Sequence, residues 1–242
     1  MPFVTAFLIK SFEEGEMIYY KEVYVYDIDG FPMIPLVLVN DSAVPITDFY
    51  YHWYFYSEDK DFLAGREYKL KIKHGWGEAS GKVFVPSDFQ IRKPEPNYTL
   101  TKDSDLYCVW QRAAKADWYY FTLDLYYNYV DTNGQEKQFN LISDSITSDT
   151  VLSYDKNFLF PQNVSRIISG RGTINIWASD GSTVMPKAKE NIRGDGSGFY
   201  NGINHSGERY FRIGPASADL TSSTKSAKER LLKRLRRGYT IR

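Results

Sequence analysis

The stretch Trp118–Val130 constrains the fold more than any other part of this chain. Read in steps of two, one register is Tyr119, Phe121, Leu123, Leu125, Tyr127 and Tyr129, and every member is bulky. The other register, Trp118, Tyr120, Thr122, Asp124, Tyr126 and Asn128, mixes rings with polar groups. Successive side chains of a strand point to opposite faces, so period two predicts a long β-strand here. Its uniformly bulky register is expected on the core face, and its mixed register is expected to meet solvent or a partner. The rest of the chain uses the same vocabulary, with 20 Tyr, 15 Phe and 5 Trp. Rings and β-branched residues suit a pleated, half-buried surface, and such a content excludes a disordered chain.

Turn residues punctuate these runs at short intervals, as an all-β protein requires. Phe3–Ile9, Ile18–Ile28, Met33–Asn40, Phe49–Tyr56, Gly65–Lys73 and Lys82–Val85 read as strands of a first unit. Asp29-Gly30 breaks the second of these, and Pro32 keeps the next from extending the same ladder. Pro94 and Pro96 at alternate positions favour an extended connection, which places a linker at 93–104. Leu106–Gln111, Trp118–Val130, Glu136–Ile142, Val151–Tyr154 and Thr173–Ser179 form a second set, with a hairpin signal at Asp131-Thr132-Asn133-Gly134. Asn163–Ile168 is expected to form one helical turn. From Pro186 to Gly214 the glycine content predicts irregular structure, closed by a short strand at Arg209–Ile213. The expected fold class is therefore all-β: a β-sandwich over 1–92, a second over 105–214 and a tail over 215–242.

The charge balance conceals that tail. The chain carries 30 Lys+Arg and 30 Asp+Glu. From Lys225 onward, however, eight bases (Lys225, Lys228, Arg230, Lys233, Arg234, Arg236, Arg237, Arg242) face the single acid Glu229, so the preceding body is acidic by the same margin. Ser222, Ser223 or Thr224 can cap a helix over Lys225–Arg237, with Gly238 at its end. Ala227, Leu231 and Leu235, with Leu232 beside them, give this helix a narrow apolar stripe. It could lie on an anionic membrane surface, solvate the terminus, or dock on acidic groups within or between subunits, and docking is the favoured expectation. Nucleic acid is disfavoured as a partner, since the acidic body would repel phosphates.

Candidate chemistry is sparse. His52, His74 and His205 share no metal-ligand spacing, and Cys108 alternates inward with Leu106 and Trp110, as a buried inert thiol does. One cysteine excludes an internal disulfide framework. No nucleophile elbow or phosphate-binding loop occurs around Gly194, Gly196 and Gly198, where a positive φ is the expected need. Asp27, Asp29, Asp144, Asp149 and Asp195 are oxygen donors near turns, so calcium is the one metal left open, and no cofactor is otherwise expected. Asp59 and Glu78 illustrate how freely a glycosidase-like carboxylate pair can be drawn; nothing singles one out.

Binding signals are stronger than catalytic ones. Tyr50-Tyr51-His52-Trp53-Tyr54-Phe55-Tyr56 is aromatic on both faces, so one face should display rings to a sugar or protein unless another element or the tail covers it. His74-Gly75-Trp76-Gly77 puts a ring in a loop. Trp53, Tyr51, Trp76, Trp118 and Tyr120 are the candidate contacts for a ligand or partner. Lys225, Lys228, Arg230, Lys233, Arg234, Arg236 and Arg237 are the candidate docking residues of the tail.

Two segments carry a resemblance. Leu63-Ala64-Gly65-Arg66-Glu67-Tyr68-Lys69-Leu70-Lys71-Ile72, followed by Val83-Phe84-Val85-Pro86, resembles bacterial surface immunoglobulin-like domains. Asp105-Leu106-Tyr107-Cys108-Val109-Trp110, then Ala113-Ala114-Lys115-Ala116-Asp117-Trp118-Tyr119, resembles the opening of a fibronectin type III domain. With Asn191–Phe199, this order is similar to envelope lipoproteins of Bacteroidota whose function is not known. The resemblance implies an immunoglobulin-like sandwich followed by a fibronectin III-like one, in an extracellular or cell-envelope setting. It brings no catalytic residue. The chain departs from it by lacking a lipid-attachment cysteine near its start and by ending in a cationic helix. No charged segment followed by an apolar one opens the sequence, so any signal peptide is expected to be removed or never present. The function expected is a non-enzymatic binding or assembly protein with a protein partner or its own copies. Its alternatives are a carbohydrate-binding module or carbohydrate-active enzyme, or a subunit of a filament or phage-like particle.

Overall fold

The computed structural model describes residues 1–13, 16–26, 34–49, 52–58, 62–181, 189–215 and 224–237. The chain is mostly β. Its first strands are β1 (Phe3–Glu13), β2 (Glu16–Tyr26), β3 (Leu36–Val39), β4 (Ser42–Ala43), β5 (Ile46–Phe49), β6 (Trp53–Glu58), β7 (Glu67–His74) and β8 (Gly77–Phe84). They are followed by β9 (Ile91–Lys93), β10 (Thr99–Leu100), β11 (Leu106–Trp110), β12 (Trp118–Asp131), β13 (Glu136–Thr147) and β14 (Val151–Tyr154). After the short helix α1 (Lys156–Leu159) come β15 (Val164–Gly181), β16 (Ile192–Gly194), β17 (Ser197–Ile213) and the helix α2 (Thr224–Arg237).

One twisted sheet runs through both halves of the molecule in the order β4-β3-β7-β8-β16-β17-β1-β2-β6-β5, and β15, β12 and β13 extend it from β17. β17 is its pivot. Residues 197–204 pair in parallel with β1, and 201–212 pair antiparallel with β15. In the first half the sheet curls on itself, so Val4, Leu8, Val23 and Phe55 meet Val37, Leu70, Ile72 and Val83 across a closed apolar core. In the second half β12, β15 and β17 pack on a small sheet of β9, β11 and β14. That core takes Tyr119, Phe121, Leu123, Leu125, Tyr127 and Tyr129 from β12, the bulky register read from the sequence, together with Leu106, Cys108 and Trp110.

Three elements differ from expectation. Asn163–Ile168 is not a helical turn; it begins β15, and the turn of helix falls at Lys156–Leu159, where Asp155 accepts from the Asn157 N–H as its cap. The glycine-rich stretch before Gly214 is not irregular, because it contains the 17-residue β17. Its glycines are there for close approach. A Cβ on Gly198 would lie 1.9 Å from the Val4 carbonyl oxygen, and one on Gly202 would lie 2.0 Å from that of Phe84. Only a bare backbone lets β17 sit between its neighbours at those points. The 93–104 segment carries β10, and Leu100 is fully buried in the second core.

Candidate functional site

α2 lies across the outer face of the shared sheet. Ala227, Leu231 and Leu232 are buried against Phe7 and Ile9 of β1, Tyr20 and Tyr24 of β2, Trp118 and Tyr120 of β12, Trp177 of β15 and Ile203 of β17. Tyr54 and Tyr56 of β6 pack on the same cluster. The helix therefore covers both halves at once, and its apolar stripe explains why the second face of β12 carries rings.

Arg230 anchors this layer. Its Nη2 donates to Asp124 Oδ1 at 2.8 Å and its Nε to Asp144 Oδ1 at 3.2 Å. Burial opposes the guanidinium charge, and the two carboxylates outweigh that cost, raising its pKa. The Lys228 ammonium sits 4.2 Å from the Tyr20 ring centroid, and the Arg234 guanidinium 6.0 Å from that of Tyr120. Lys233 is exposed. The side chains of Lys225, Arg236 and Arg237 lie outside the described residues, as do Tyr51, Asp27 and Asp29.

The other predicted contacts separate. Trp118 and Tyr120, read as facing a ligand or partner, are 3% and 0% exposed beneath α2. Their mixed register looked solvent-facing because its partner is a helix remote in sequence. Trp53 is half-buried against the first core. Trp76 stands at the tip of the β7–β8 hairpin, 47% exposed, with its ring 6.3 Å from that of His74. Of the oxygen donors considered for calcium, Asp144 is engaged by Arg230, and Asp195 Oδ2 accepts from the Glu78 N–H. Among the described residues, no three His, Cys, Asp or Glu side chains group as a metal site. Cys108 is buried, and burial pushes its thiol pKa well above the usual range, as an inert thiol requires.

Sequence reasoning missed a cleft of about 470 Å³ at the junction of the two halves. Lys10 and Phe12 continue the β1 face of Val4, Ala6 and Leu8 past the end of the first core. Met17 stands opposite Phe12 on β2, Asp88, Phe89 and Gln90 come from the segment after β8, and Gln111 follows β11. The Lys10 ammonium donates to Asp88 Oδ1, and Asn204 Nδ2 donates to the same oxygen at 3.0 Å. Partial burial works to raise the Asp88 pKa, but these two donors outweigh it and hold the carboxyl below its ordinary range. The Asp88 side chain is 71% exposed, so the fixed carboxylate stays open to the cleft.

His205 forms the back of the cleft and is 4% exposed. The Phe12 N–H donates to its Nδ1 at 3.3 Å, so its proton sits on Nε2, 3.2 Å from Asn175 Oδ1. Its ring stacks on Trp177 with centroids 4.5 Å apart. Burial drives its pKa down to about 3, leaving a neutral ring that cements the two halves. Phe12 is 36% and Met17 41% exposed, so the cleft lining has an apolar part beside the polar Asp88, Gln90 and Gln111. None of these residues forms a local motif, which is why no sequence signal marks the site.

No family model matches the chain, and no curated protein is similar to it in sequence. Among solved structures, the chain is similar to the fibronectin(III)-like modules of CbhA from Clostridium thermocellum. The identity is 10%, 90% of this chain and 97% of that one are covered, and the TM-score is 0.28.

Proposed function

We propose that this chain is a non-enzymatic binding module whose ligand is a neutral glycan held in the cleft between the two halves. The observation that carries this reading is a lining that joins the exposed apolar side chains of Phe12 and Met17 to the planar polar groups of Asp88, Gln90 and Gln111. A sugar ring offers C–H groups on one side and hydroxyls around its edge, and this lining holds partners for both chemistries. Asp88 supports binding over catalysis. Pinned by Lys10 and Asn204 and held ionised, it accepts hydrogen bonds but has no proton to donate to a leaving group. An extracellular or cell-envelope setting belongs to the same proposal and is supported by the sequence resemblance.

A glycan array of neutral oligosaccharides, followed by calorimetric titration of the best ligand, tests this. Phe12→Ala or Gln90→Ala should weaken binding roughly tenfold, about 1.4 kcal/mol. Trp76→Ala, at the remote hairpin tip, should leave it unchanged. Binding lost in Trp76→Ala but retained in both cleft variants would move the site to the hairpin, and an array without any hit would end the glycan reading.

A further inference from the structure

The open edges of the sheets are unequal. β4 has 2 residues, β9 has 3, and β5 and β14 have 4 each. Short edges are the usual protection against strand pairing between molecules. β13 is the exception: it runs 12 residues, pairs with β12 from Tyr119↔Thr147 to Val130↔Glu136 without a bulge, and has no second neighbour among the described residues. It contains no proline. Of its three charges, Glu136 stands at its first residue, and the other two are already engaged, Lys137 with Asp131 at 2.6 Å and Asp144 with Arg230. Ile142, in the middle, is 54% exposed on the outer face. The central stretch from Gln138 to Ser143 carries no charge, proline or bulge to blunt the edge.

We infer that β13 is a dimerisation edge and that its occupant is β13 of a second copy of this chain. Antiparallel pairing of two identical strands about a two-fold axis perpendicular to the sheet keeps each face continuous only when opposed residue numbers share parity. The register centred on Ile142 satisfies this. It sets Ile142 beside Ile142 of the second copy, Asn140 opposite Asp144 and Gln138 opposite Ile146, and it places no like charges together. A heterologous partner would need none of this self-complementarity. The resulting sheet runs without interruption through both molecules, and because each copy spends the same edge, the assembly closes at two.

Sedimentation velocity of the full chain across the micromolar range tests the inference. The native chain should sediment as a dimer, while Ile142→Lys and Asn140→Lys, both at an exposed edge, should sediment as monomers with an unchanged circular dichroism spectrum. Ile142→Cys should form a covalent dimer on mild oxidation, since opposed Cα atoms about 4.5–5.5 Å apart admit a disulfide and Cys108 is buried. A native chain that stays monomeric, a dimer indifferent to both lysine variants, or a series of growing oligomers would overturn it. These outcomes are independent of glycan binding.

Discussion

The core of the second half and the layer beneath α2 both bury aromatic rings of β12, but they are assembled on different terms. Between the two sheets Phe121 stacks on Trp110 at 5.8 Å and on Tyr154 at 5.9 Å, with Leu123, Leu125, Ile174 and Ile176 around them. On the other face of the same strand, Trp118 and Tyr120 lie among Thr122, Asn175, Asn201 and His205, all buried, under a helix fastened through Arg230. The first interior is held by burial and close packing, which salt does not screen and pH does not titrate. The second adds buried polar groups and an ion pair to its rings, so conditions that leave the first untouched should loosen it. β12 therefore divides the molecule into a stable frame and a conditional cover.

The sharpest way to break that comparison is to cut the frame. Phe121→Ala removes a fully buried ring between two aromatic neighbours and should cost about 3–5 kcal/mol in guanidinium unfolding, lowering the whole transition. A loss under about 1 kcal/mol would mean that the core repacks freely and is no more rigid than the helix layer.

His205 sharpens the contrast through pH. Its folded pKa, about 3, lies below the ordinary 6.5, so the unfolded chain binds the extra proton between these values. Its contribution is fully present above pH 6.5 and is lost as pH falls toward 3, with a slope approaching about 1.4 kcal/mol per pH unit. The Asp88 carboxyl, held below 3.8, adds its own loss only at the acid end of that window. His205→Gln should be less stable at neutral pH and should lack the slope between pH 6 and 4 seen in the native chain, measured by urea unfolding at stepped pH. Parallel curves for the two proteins would place the acid sensitivity elsewhere.

Whether a residue's role can be read from sequence follows how local its cause is. The core register of β12 is visible because strand period two is a property of consecutive residues. The helix and its stripe are visible for the same reason at period 3.6. Where that stripe lands is not visible: Asp124 and Asp144 lie 106 and 86 residues from Arg230, and Trp118 and Tyr120 read as surface groups until the helix is laid over them. β17 was hidden by its own glycines, since propensity counts Gly198 and Gly202 against a strand while the approach of Val4 and Phe84 demands them. The cleft is hidden for a related reason, because Asp88 meets Lys10 across 78 residues and Asn204 across 116.

The smallest effect tests the cover itself. Arg230→Ala leaves Asp124 and Asp144 facing each other, their side chains 16% and 23% exposed, without the cation between them. Removing one partner of a half-buried ion pair should cost about 1–3 kcal/mol, less than the full penalty of a buried pair because water still reaches these carboxylates. The loss should be local. Trypsin should cut the tail of this variant well before the sheets, and fluorescence should shift to the red as Trp118 and Trp177 meet water, with the main unfolding transition barely moved. Arg230→Lys keeps the charge but not the fork that serves two carboxylates, so it should restore the cover only in part. High salt should make the tail of the native chain as sensitive to trypsin as that of Arg230→Ala, while leaving in place the main unfolding transition that Phe121→Ala lowers. If salt lowered that transition as much as it exposed the tail, the frame and its cover would be one electrostatic unit, and the distinction drawn across β12 would fail.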